Sequence, residues 1–177
     1  IAPALMGLAI YFSDNDQLRN FTFWTMGSLS SATWQAVAVC GSVSLFALLL
    51  MRPLARILNA FLLGEAEAFH MGIETTRAKR RIITLSSILV GTTVAFCGPI
   101  AFVGLIVPHI CRLLLGADYR TLLPASAFLG AGFLILVDVL ARTLLPAAEL
   151  PIGIITTALG GPFFLGLLLL VKRKAAN

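Results

Sequence analysis

Charge is scarce in this chain. Asp, Glu, Lys and Arg supply only 12% of its 177 residues, against 59% that are hydrophobic, a balance that excludes an ordinary water-soluble domain. Several chemistries are excluded with it. There is no glycine-rich phosphate loop of the Walker type, no HExxH and no serine in a nucleophile-elbow pattern, so nucleotide hydrolysis, zinc proteolysis and acyl transfer have no carrier here. Cysteine is limited to Cys40, Cys97 and Cys111, an odd number without CxxC spacing, which is no disulfide or zinc framework. All three lie within or at the ends of apolar runs and read as small buried hydrophobes. Cys111 is two residues from His109, but that spacing splays two helical side chains onto different faces and argues against a shared metal. The chain opens without Met, inside the apolar run Ile1 to Phe12, and shows no basic n-region or small-residue cleavage site. It is therefore expected to be the C-terminal portion of a longer protein, without a signal peptide.

What is present is a series of long apolar runs: Trp34 to Met51, Ile82 to Cys97, Ile100 to Leu115, Leu122 to Leu145 and Ile152 to Val171. Each approaches the ~20 residues that a bilayer core requires. An all-α, polytopic transmembrane helix bundle follows. Two of the runs, Ile82 to Cys97 and Ile100 to Leu115, are short and leave open a partly re-entrant pair. Basic residues stay on the cytoplasmic side. With the Lys172-Arg173-Lys174 tail inside, alternation also puts Arg52, Arg56, Arg77, Lys79, Arg80, Arg81, Arg112 and Arg120 inside, eleven of thirteen. Only Arg19 and Arg142 fall outside. The net charge of +5 thus orients the protein and meets anionic lipid, with no call for nucleic acid.

Two segments break the pattern. Gly98 to Arg112, GPIAFVGLIVPHICR, places two prolines, two glycines and a histidine in an apolar stretch. Proline in a membrane helix frees a carbonyl that neighbouring protein or water must satisfy. Gly98-Pro99 reads as a tight turn between spans, Pro108 as a kink and His109 as a residue at the water interface. The other segment is Pro53 to Arg81. Leu54, Ile57, Leu58, Phe61 and Leu62 recur at helical spacing and stop at Gly64, and a second short helix runs from Glu65 through Phe69 to Met71, with acids in its first turn and Gly72 after it. Two readings are open: an amphipathic pair lying on lipid headgroups, or a docking knob for a cytoplasmic partner.

The runs ILNAFLLGEAEAFHMGI (Ile57 to Ile73), GPIAFVGLIVPHICRLLLGADYRTLLPASAFLGA (Gly98 to Ala131), DVLAR (Asp138 to Arg142) and ELPIGIITTALGGPFF (Glu149 to Phe164), taken together and in this order, resemble one family. It is that of the permease subunits of ABC importers for ferric siderophores, haem and vitamin B12. The likeness covers nearly the whole chain. It implies a type II importer permease of the bacterial inner membrane with about ten spans, of which this chain supplies the later half from within the fifth, with a cytoplasmic C-terminus.

The resemblance also implies roles. The paired cytoplasmic helices become coupling helices seated on a separate ATPase subunit that carries ATP and Mg, and they map onto Leu58, Leu62, Gly64, Glu65, Ala68 and Gly72. Arg142 takes the place of an arginine that meets an acidic residue of a periplasmic or lipid-anchored substrate-binding protein. By spacing alone Asp138 and Arg142 pair on one helix face, and such a pair would hold the arginine in position. Phe21 to Trp34 resembles a short outer helix beside a central cavity, with Trp24, Gly27 and Ser28, alongside Ser30 and Ser31, as pathway candidates. Trp24 and Trp34 equally suit an interfacial belt. Thr156, Thr157, Gly160 and Gly161 suit either a pathway lining or close helix packing. A second permease subunit is expected across the pathway, and the chain itself is expected to bind no cofactor or metal and to catalyse nothing. The competing reading from another class is a secondary transporter or channel with an intramembrane ion site at Asp138 and His109.

Overall fold

In lipid every backbone polar group must be satisfied inside its own segment, and the apolar runs accordingly fold as helices, with no strand among the described residues. The computed structural model describes residues 2–30, 32–144 and 150–176, with side chains at all of these except 2, 3, 170, 171 and 173–176. Ile1, Ser31, Leu145 and Glu149, and the side chains of Arg173 and Lys174, lie outside that description. The elements are α1 (Ala2–Tyr11), α2 (Asn15–Thr25), α3 (Trp34–Phe61), α4 (Glu65–His70), α5 (Thr75–Cys97), α6 (Val103–Leu115), α7 (Tyr119–Leu144) and α8 (Ile152–Ala176). Among the described residues, α3, α5, α7 and α8 are long and apolar enough to cross a membrane. The protein is a multi-pass membrane protein.

Three expectations change. The stripe from Leu54 to Leu62 is not a separate helix: α3 runs unbroken through Pro53 for 28 residues. Pro53 removes one helical hydrogen bond, but Leu54, Ala55 and Ala60 are buried just beyond it, so packing holds the helix through the defect. The span expected from Ile82 begins at Thr75, because Arg77, Lys79, Arg80 and Arg81 form its first turns and are not a loop. At 23 residues, or about 34 Å, α5 is long and apolar enough to cross a membrane. The short outer helix is Asn15–Thr25, and residues 27–30, 32 and 33 are not helical, so of the segment from Phe21 to Trp34 only residues 21–25 belong to that helix. The run from Ile100 is short as read: α6 has 13 residues, or about 20 Å, and residues 98–101 precede it as non-helical backbone.

Oil offers no hydrophobic drive between helices already in oil, so close approach of small side chains holds such a bundle. Alanine recurs at the buried positions, with Ala36, Ala47, Ala55, Ala60, Ala68, Ala78 and Ala141. Two clusters tie the second half together. Val107 and Cys111 of α6 pack on Leu122 of α7, and Val137 and Ala141 of α7 pack on Ile152 of α8 with Ile100 and Leu29 around them. Cys111 is thus a buried hydrophobe, as its sequence context indicates. Leu45, Phe46 and Leu49 of α3 and Ile135, Leu136 and Val139 of α7 point outward, as lipid-facing or partner-facing side chains do.

The candidate site at the two ends of the bundle

At one end three chain segments meet through glycine. Backbone can leave a helix at membrane depth only where its polar groups are otherwise satisfied, and within residues 98–101 Gly98 is buried against the end of α2 while Ile100 packs beside Ile152 of α8. Ser28 N donates to Cys97 O (2.8 Å) and Gly153 N to Gly27 O (3.4 Å). A β-carbon at Gly27 would lie 2.6 Å from Pro99 O, one at Gly98 would collide with Trp24 O, and one at Gly153 with Met26 O. Gly98 also sits at φ +69°, a conformation glycine adopts without strain. Gly27 and Ser28 therefore work as a junction in this chain. Trp24, stacked on Phe21, is exposed.

The last helix divides its small residues between two faces. Thr156 is fully buried, its hydroxyl donating to Gly153 O (3.2 Å). Gly160 is buried beneath Phe102, whose ring occupies the space of a β-carbon. Both are packed within the chain. Thr157 faces outward. On α7 of the same end, Arg142 Nε donates to Asp138 Oδ2 at 2.8 Å, with the arginine side chain about half exposed. The i,i+4 pair expected from spacing exists, and Val137 and Ala141, buried on α8, turn its guanidinium away from the core. His109 has a different neighbour altogether, its ring packing edge-on against Phe163 of α8 at 5.8 Å. Asp138 and His109 are not brought into one site, and among the described residues no group of three His, Cys, Asp or Glu side chains is placed to hold a metal.

The opposite end carries the knob. Gly64 at φ +114° opens α4 and Gly72 at φ +80° closes it, and Gly72 N to Phe69 O (2.9 Å) and Ile73 N to Ala68 O (3.1 Å) seal its C-terminus. Ala68 is fully buried between α4 and the helices beneath it, while Glu65 pairs with Lys79 of α5. Leu58 is half-buried. The outer surface is apolar: Leu62, Leu63, Phe69 and Met71 are 48 to 69% exposed. Such a crown marks a protein- or lipid-contacting surface.

Sequence reading missed what lies beside the knob. Asn59, in the last turn of α3, donates from Nδ2 to Asp118 Oδ1 (2.6 Å) and accepts from Tyr119 N at Oδ1 (2.8 Å). Arg120 N also donates to Asp118 Oδ1 (2.9 Å), making Asp118 the N-cap of α7. That backbone bond first, and the Asn59 amide second, hold the Asp118 carboxyl below its usual range. Arg112 of α6 donates to Tyr119 Oη (3.1 Å) and lies over its ring. The aspartate ahead of a tyrosine-led helix is a readable cap signal, whereas its partner 59 residues earlier is not.

The profile of the FecCD transport family matches residues 1–172. The chain is 47% identical to a hemin transport system permease protein of Yersinia pestis, over its whole length and 53% of that protein. It is 41% identical to a vitamin B12 import system permease protein of Vibrio vulnificus, over 96% of this chain and 51% of that one. The chain thus spans about half the length of these relatives. A solved inward-facing structure of a metal-chelate type ABC transporter superposes with a TM-score of 0.86 at 37% identity, covering 94% of this chain and 54% of that one.

Proposed function

The chain belongs to the FecCD transport family, and from that premise we propose that it forms half of the permease subunit of an ATP-binding cassette importer. The cargo is an iron complex, haem or cobalamin, carried into the cytoplasm across the bacterial inner membrane. ATP and Mg act on a separate ATPase, a second permease subunit faces the first across the path, and a substrate-binding protein delivers the cargo from outside. The single observation that supports this best is the knob. A six-residue helix bounded by two left-handed glycines, anchored by a buried Ala68 and crowned by exposed Leu63 and Phe69, suits a rigid seat in a protein groove better than a loose lipid anchor.

The mechanism follows from rigidity. A flexible tether would absorb a partner's displacement, whereas a short helix pinned to α3 and α5 passes it on as rigid-body motion. ATP-driven closure of the ATPase pair pulls the knobs together, and α3 and α5 tilt with them. The packed glycine junction at the far end then repacks between two arrangements, opening one side and closing the other. At that outer end the Arg142 guanidinium, held by Asp138, offers a cation to an acidic residue of the binding protein.

The test is to express the full-length permease with its ATPase and ask whether they co-purify and whether Phe69→Glu abolishes the complex. Association that survives this substitution, or cargo uptake in ATP-free vesicles, defeats the reading.

A further inference from the structure

On the proposed function rests one more step: we infer that Asn59 is a positioning residue, the clamp through which the cytoplasmic knob and the α6–α7 connection move as one body. The geometry is specific to an amide. At Asn59 one side chain must donate to a carboxylate, Asp118 Oδ1, and accept from a backbone N–H, Tyr119 N. Asparagine carries both functions in one short planar group. The accepted N–H belongs to the first turn of α7, where backbone donors have no helical partner. The start of α7 is thus capped half by its own Asp118, through Arg120 N, and half by a helix 59 residues away. Arg112 extends the connection to α6 through Tyr119.

Asn59 lies five residues before Gly64, on the helix from which the knob hangs. From Asp118 the α7 helix runs 26 residues, continuous through Pro124, and the Asp138–Arg142 pair lies in its last two turns at the opposite end. Whatever displaces the knob therefore displaces α7 along its length, provided the clamp holds. This connects the two ends of the protein through one continuous helix.

The test uses the full-length permease with its ATPase, and nitroxides at Glu67 of α4 and Ala117 of the α6–α7 connection. A genetically encoded keto amino acid carries the labels, leaving Cys40, Cys97 and Cys111 unmodified. The expected wild-type result is a single interspin distance, the same in the resting and vanadate-trapped states. Asn59→Asp sets two carboxylates against each other and is expected to lose that single distance. Asn59→Asp with Asp118→Asn relieves that repulsion and re-forms the bond between the two side chains with donor and acceptor exchanged, while Tyr119 N keeps its acceptor. Only the bond from Arg120 N, which shares Asp118 Oδ1, is given up, and the pair is expected to recover the single distance. A wild-type distance that changes on trapping, an Asn59→Asp protein that keeps one distance, or an exchanged pair that fails to recover it, each overturns the clamp. Where Asn59→Asp does not accumulate in membranes, Asn59→Ala removes both bonds without adding charge and is read the same way. If no ATPase associates, the proposed function fails, and the resting-state distances of the variants still decide the clamp.

Discussion

Phe102 lays the root of its ring where Gly160 would carry a β-carbon. It is also, among the described residues, the non-glycine residue at positive φ (+65°), a strained setting for a bulky side chain that surrounding structure must impose. The contact supplies that imposition, since a ring seated on bare helix backbone has nowhere else to go. Gly160→Leu is therefore expected to overpack the α6–α8 contact and destabilise the protein by about 1–3 kcal/mol. Thermal unfolding of the purified full-length protein in detergent reads this as a lower midpoint. An unchanged midpoint would show that Phe102 swings aside freely.

Gly98 and Gly153 predict a second stability effect. At each, a β-carbon meets a backbone carbonyl, of Trp24 and of Met26 respectively, and a carbonyl within a helix end cannot rotate out of the way as a side-chain tip can. Ala at either position is expected to lower the midpoint, more so at Gly98, where the φ of +69° adds backbone strain. Gly104, where a β-carbon meets nothing, is the control, and Gly104→Ala should leave the midpoint unmoved.

How far these features were legible follows from their range along the chain. Hydrophobic runs located the spans, and Gly64 and Gly72 located the knob, because each signal lies within a few residues. Pro53 read as a boundary, yet burial of Leu54 and Ala55 outweighs one lost hydrogen bond. Arg77 to Arg81 read as loop because charge masks a helix whose first turns lie outside the apolar layer. The last span is apolar all round and shows no face, so nothing along it separates the buried Thr156 from the exposed Thr157. The junction of Gly27, Gly98 and Gly153, and the Asn59–Asp118 bond, join positions dozens of residues apart, and single-sequence periodicity has no access to them.

Asp118 predicts a pH dependence with a definite sign. Its folded-state carboxyl lies below the usual range, first through Arg120 N and then through Asn59, while the unfolded chain titrates near the ordinary value of about 3.9. A depressed folded value stabilises the protein at pH above the unfolded one, and that stabilisation disappears as pH falls through the folded value. Unfolding midpoints of wild type and Asp118→Asn should therefore differ at pH near 6 and converge as acid is added below about 4. A difference that persists or grows in acid would assign the effect to something other than this carboxylate.

Arg142 predicts an effect on association at the outer end. The cation is about half exposed and held by Asp138 at 2.8 Å, so on the proposed reading it meets an acidic residue of the binding protein while remaining paired. Arg142→Glu reverses the outward charge and sets a like charge beside Asp138. It is expected to slow binding-protein association and to flatten or invert its salt dependence, the signature of an exposed interfacial charge. Asp138→Asn is the discriminating companion. It keeps the cation, loosens its positioning and removes the neutralising carboxylate, so association should keep or steepen its salt dependence, opposite to Arg142→Glu. Surface plasmon resonance on the reconstituted full-length permease separates the two. If both substitutions leave rate and salt dependence as in wild type, the pair serves only to neutralise charge at the membrane edge.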